Sequence, residues 1–133
     1  MTTRSWWGWG TTDKRVTGTE REQLLSRVTQ FLGDAELVEH RAPDPHSLNL
    51  PRPRITAPDS LEHLVSQDIE DRAGHTHGKA YRDVIRNLHG QLGSAPDLVV
   101  RPQTEQDIIA VLDWCTDANV AVIPYGGGSS IVG

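Results

Sequence analysis

Apolar positions along the chain fall into clusters separated by proline- and glycine-rich breaks. Leu24, Leu25, Val28, Phe31 and Leu32 recur at a 3.6-residue period and predict one face of a helix. Thr19 and Glu22 have capping-box spacing at its start, and Gly33 suits its end, where a left-handed residue closes the last turn. Over residues 35–58 the periodicity stops. Pro43, Pro45, Pro51, Pro53 and Pro58 remove backbone donors and push the residues before them toward extended conformations. That pattern predicts a long connector with at most one short strand, at residues 36–38. Two further helices are expected. Asp59 or Ser60 caps the first, with Leu61, Leu64, Val65 and Ile69 as its stripe. The second covers residues 79–88, with Tyr81, Val84, Ile85 and Leu88 on one face and Gly90 beyond its end. The polar run at 71–78 between them reads as a turn.

The last forty or so residues are the most legible. Asp97, Leu98, Val99 and Val100 read as a short buried strand bounded by Pro96 and Pro102. Thr104 and Asp107 have the spacing of a helix cap, and Ile108, Val111, Leu112, Cys115 and Ala118 mark the helical face that follows. Asn119 suits the left-handed position after that helix, and residues 120–123 form a second strand of high β-propensity. Strand, helix and strand with short connections predict a βαβ unit with parallel strands. The fold class is therefore α+β: a helical region at residues 1–92, then a βαβ unit opening at residue 93. At the other end, Trp6, Trp7 and Trp9 sit among Gly8 and Gly10, more aromatic area than a floppy terminus carries. An arm docked on the body of the protein is expected, with an aromatic platform for a ligand as the alternative.

Composition narrows the class without choosing a function. Hydrophobic residues make up 36% and charged residues 23%, with a net charge of −5, which excludes a disordered tail. The acidic balance argues against nucleic acid as a partner. One cysteine excludes a disulfide framework and fits a reducing, cytoplasmic setting. No apolar run approaches the ~20 residues that span a bilayer, and the start of the chain lacks the apolar stretch of a signal peptide.

The candidate chemistry lies where the second strand runs into Pro124, Tyr125, Gly126, Gly127, Gly128, Ser129 and Ser130. Three glycines free the backbone to turn and to aim successive N–H groups at one spot, an arrangement that binds anions, phosphate above all. The serine hydroxyls add donors. The run is not a Walker loop, since no Lys follows the glycines, and it does not match Gly-x-Gly-x-x-Gly. Taken alone, a flexible linker would look the same.

Three spaced motifs add to this reading. They are Trp7-Gly8-Trp9-Gly10, the run Asp71-Arg72-Ala73-Gly74-His75-Thr76-His77-Gly78, and residues 95–102 together with 122–133. Together they resemble the vanillyl-alcohol oxidase/p-cresol methylhydroxylase superfamily, at the start of its FAD-binding domain of the p-cresol methylhydroxylase type. Within it they are most similar to alkyl-dihydroxyacetonephosphate synthase-like flavoproteins. The resemblance implies that Pro124, Tyr125, Gly126, Gly127, Gly128, Ser129 and Ser130 wrap the FAD pyrophosphate. Family members that link the flavin covalently at this loop carry a His near the position of Gly128; this chain has none, so noncovalent FAD is implied. The implied activity exchanges an acyl chain for a fatty alcohol to make an ether bond, with hydroxy-acid oxidases and dehydrogenases as near relatives. The family's catalytic side chains lie in its C-terminal half, so none is expected here, and a lipid-like or hydroxy-acid substrate belongs to a full-length protein. The chain reads as the first part of such a protein, with a noncatalytic truncated product as the alternative. Homo-oligomerisation stays open, as does peripheral membrane contact through lipid substrates.

Other constellations are weaker. His75 and His77 have no third close ligand, so a metal site is not expected. His75 and Arg72 read as hydrogen-bonding residues of a turn, or as contacts to the rest of a longer protein. Asp68, Glu70 and Asp71 read as a solvated face, Ser129 and Ser130 lack a base that would make them nucleophiles, and Cys115 reads as a buried structural thiol.

Overall fold

A computed structural model describes residues 4–14, 16–33 and 35–129. Four α-helices and one small sheet form the frame: α1 (Gly18–Leu32), β1 (Val65–Ser66), α2 (Ile69–Gly74), α3 (Tyr81–Leu88), β2 (Val99–Val100) and α4 (Glu105–Asp117). The α+β class holds.

The end of the chain shows why sequence and local geometry agree where capping is strong. Thr104 Oγ1 accepts from the Asp107 N–H at 3.1 Å, and the Asp107 carboxylate accepts from the Thr104 N–H at 2.9 Å, closing the capping box that opens α4. Asn119 takes φ +53° after the last turn. Its N–H donates to Thr116 O, and the Val120 N–H donates to Cys115 O at 2.8 Å, the paired bonds of a Schellman stop.

The expected parallel βαβ pairing does not form. Residues 120–124 form no strand among the described residues, and Ile123 is 84% exposed. β2 instead pairs antiparallel with β1, Val65 opposite Val100 and Ser66 opposite Val99. β-branched Val65 therefore leaves the helical stripe assigned to it. The helix expected from residue 59 breaks into a 3-10 helix at Asp59–Leu64, then β1, then α2. Asp68 restarts the helix by accepting from the Glu70 and Asp71 N–H groups at 2.8 and 3.3 Å. Residues 36–38 form no strand; instead Glu39 pairs with Arg21 at 2.7 Å. α1 begins at Gly18, so Thr19 lies inside the helix rather than capping it, and Thr17 occupies the cap without a side-chain bond.

The core is small. Leu61 and Leu64 of the 3-10 helix pack on Val111 and Cys115 of α4, with Ala57, Val100, Trp114 and Val120 around them. Each buried leucine there contributes roughly 1.5–3 kcal/mol. α1 buries none of its residues: Phe31 is 89% exposed, while Leu25 and half-buried Val28 share a surface pocket with Leu37 and Val38. Arg72 ties the connector down: it is buried, and it donates to Pro96 O at 2.8 Å and Pro51 O at 2.5 Å. Two surface forks brace the sheet, Arg101 on Asp71 (2.8 and 2.5 Å) and Arg54 on Asp97 (3.0 and 2.7 Å). Hydrogen bonds from Arg101 hold the Asp71 carboxyl below its usual range, and those from Arg54 do the same for Asp97.

Candidate cofactor site

The glycine run is braced from behind by Tyr125. Its ring stacks obliquely on His75, centroids 4.6 Å apart. Its hydroxyl lies 3.3 Å from the His77 carbonyl and 3.4 Å from that of Gly74, donating toward both. Burial pushes the Tyr125 phenol up from its ordinary pKa, so the hydroxyl keeps its proton at neutral pH; the charge of Arg4 opposes that shift and that of Asp83 adds to it.

The glycines differ in what they require. Gly128 takes φ +69°, and a Cβ there would collide with the Tyr125 ring, its Cζ only 2.6 Å away. Gly126 and Gly127 have no left-handed φ, and a Cβ on either would meet no protein atom within 4 Å. Neither backbone conformation nor packing demands glycine at those two positions. Among the described residues, their amides also have no acceptor. Both line a groove of about 2100 Å³ bounded by residues 74–78, 93–102 and 119–129. Arg4 and Ser129 line the same groove. Exposed amides without side chains beside a groove are what a bulky anion approaches closely.

Three stretches far apart in the sequence meet behind this loop. The tryptophan arm docks through Trp6, which is buried, while Trp9 lies 65% exposed with its indole N–H donating to Lys79 O at 2.7 Å. Asn87 has no exposed surface; its amide donates to Trp7 O at 3.2 Å, and its Oδ1 lies 3.0 Å from His77 Nδ1. His75 Nδ1 lies 2.7 Å from Asp71 O, and Thr76 Oγ1 donates to Arg72 O at 3.0 Å, so the turn is fixed from within. Lys79 donates from its backbone N–H to Gly128 O. Sequence reasoning missed Lys79 and Asn87. Asn87 left one trace, a polar residue three positions after Val84 on the buried side of α3. Lys79 left none.

Of the residues expected to wrap a cofactor, the structure places Tyr125, Gly126, Gly127, Gly128 and Ser129 along the groove. Pro124, which lines that groove too, is exposed at the entry to the loop. Ser130 lies outside the described residues. Cys115 is buried in the core at the edge of the same groove, and burial raises its thiol pKa.

Residues 96–133 match the family described as the FAD binding domain. The chain therefore carries an FAD-binding region. It is 42% identical over 73 residues to the alkyldihydroxyacetonephosphate synthase of Dictyostelium discoideum, covering 55% of this chain and 12% of that protein. The same share of this chain is 33% identical to the mitochondrial D-lactate dehydrogenase [cytochrome] of Arabidopsis thaliana. A solved alkyldihydroxyacetonephosphate synthase structure superposes with TM-score 0.79 at 28% identity, over 98% of this chain and 29% of the solved one. The chain thus resembles these proteins while spanning less than a third of their length. The residues present fit the cofactor's charged centre: open glycines, amides without acceptors and a serine on one groove.

Proposed function

We propose that residues 124–130 wrap the pyrophosphate of noncovalently held FAD in an alkyldihydroxyacetonephosphate synthase-type enzyme that acts on a lipid-like substrate. Gly126, Gly127 and Gly128 supply backbone surface and donors, Ser129 and Ser130 supply hydroxyls, and Pro124 and Tyr125 set the direction of the loop. When bound, the flavin supplies the electron-accepting and electron-donating centre; this chain's residues hold and orient its phosphates. No side chain here is assigned a catalytic role. The observation that carries the reading is the pair Gly126 and Gly127, which nothing among the described residues obliges to be glycine. The likeness to a D-lactate dehydrogenase supports a second reading, a flavin-linked dehydrogenase of a hydroxy acid using the same loop. In either reading the setting is cytoplasmic, with peripheral membrane contact through a lipid substrate in the first. A homo-oligomer fits both.

The test is an NMR titration of the chain with FAD. Shifts centred on the Gly126 and Gly127 amides are expected. Gly127→Val, which places three carbons in the open space the pyrophosphate would use, is expected to weaken binding about tenfold or more. Unchanged affinity in Gly127→Val would remove the pyrophosphate assignment.

A further inference from the structure

Lys79 joins the tryptophan arm to the glycine loop through three separate bonds. Its backbone N–H donates to Gly128 O. Its carbonyl accepts from Trp9 Nε1 at 2.7 Å. Its ammonium donates to Trp6 O. The arm and the loop also share the α2 end: a Cβ on Gly74 would stand 3.5 Å from Trp6 Cα, and the Gly74 carbonyl is one of the two beside the Tyr125 hydroxyl. Among the described residues no carboxylate pairs with the Lys79 ammonium, and burial lowers its pKa to about 8. A lysine half-buried without a counter-charge is an unusual way to spend a cation on structure. Its geometry here ties two segments together rather than neutralising an acid.

We propose that Lys79 is a positioning residue for the cofactor loop, a latch through which the tryptophan arm fixes Gly128 and thereby aims the Gly126 and Gly127 amides into the groove. The proposal rests on the reading of residues 124–130 as the pyrophosphate loop. Glycine-rich backbone loses the most freedom on ordering. A loop already held by Lys79 and Tyr125 meets its anion with that loss behind it, so the arm acts on affinity without touching the ligand.

The test compares amide hydrogen exchange at position 79, whose N–H donates to Gly128 O, with exchange at Val111 and Cys115 in α4. Two variants each remove one latch bond and keep the side-chain bulk: Lys79→Met loses the ammonium donor, and Trp9→Phe loses the indole donor. Lys79→Arg restores a cationic donor. Exchange at the position-79 amide is expected to rise about tenfold in Lys79→Met and several-fold in Trp9→Phe, with α4 amides unchanged and Lys79→Arg near wild type. Exchange at position 79 at the wild-type rate in both variants overturns the latch. So does an equal rise at Val111 and Cys115, which marks general loosening. The FAD titration separates the two readings. If the loop amides of wild type do not shift with FAD while exchange at position 79 still depends on the Lys79 side chain, the flavin reading fails and the latch stands. If wild type binds FAD and Lys79→Met opens the loop without raising the apparent Kd, the positioning role is overturned.

Discussion

Two regions of this chain are held by different physics. Around Leu61, Leu64, Val111 and Cys115 the contacts are apolar and the side chains are buried, so stability there comes from area removed from water. Around the glycine loop the contacts are polar and long-range: Asn87 to Trp7, Lys79 to Trp6 and Gly128, Tyr125 to Gly74 and His77. Individual hydrogen bonds contribute only about 0.5–1.5 kcal/mol net, yet they are directional. The core decides whether the chain folds. The polar cluster decides where the loop points, which is the property a cofactor site needs.

Breaking the core should therefore cost most. Leu64→Ala is expected to remove about 2–5 kcal/mol, read from the midpoint of denaturant unfolding. A loss below about 1 kcal/mol would show that the cluster is not the main core. Asn87→Ala should come next, at about 1–3 kcal/mol, because the Trp7 carbonyl and the His77 ring lose their buried partner. Unlike Leu64→Ala, it should also red-shift the tryptophan emission of the native state as the arm loosens; an unmoved spectrum would detach the arm from this cluster.

Two pH effects are smaller. The folded-state pKa of Asp71 lies below its ordinary 3.8, chiefly through its hydrogen bonds from Arg101. The pair is fully present above that value and is lost as pH falls through the folded pKa. Because both partners are partly solvated, wild type should lose at most about 1 kcal/mol more than Asp71→Asn between roughly pH 5 and pH 3. Equal acid sensitivity of the two would mean the fork contributes nothing. Lys79 behaves in the opposite range. Its pKa is lowered from 10.5 to about 8, so the unfolded chain binds the extra proton between those values and stability rises with pH across that window. The rise should be slight, since the ammonium is far from fully buried, and Lys79→Met should flatten it.

The most legible parts of the fold were those governed by local chemistry. Thr104 with Asp107, and Asn119 at the end of α4, set both ends of that helix because the bonds they make lie within one turn. Less legible were elements whose partner is distant. Val65 reads as helical from its spacing to Leu61 and Leu64, but Val100 draws it into a strand. Residues 120–123 have the composition of a buried strand, yet no described strand pairs with them. Phe31 and Leu32 show the same limit on α1: period announces an apolar face and says nothing of what covers it.

The site divides along the same line. Sequence alone located the glycine-rich loop and its serines, because glycine content and serine placement are properties of consecutive residues. It also pointed to a docked tryptophan arm, since so large an apolar surface is costly in water, but not to Trp6 as the buried ring and Trp9 as the exposed one. Only the tertiary structure decided that Trp9, Lys79 and Gly128 form one chain of bonds, and that Asn87 rather than Leu88 is the most buried residue of α3. A hydrogen bond between residues seventy positions apart leaves no period and no spacing in the sequence. It exists only once the core has brought the two stretches within 3 Å or so of each other.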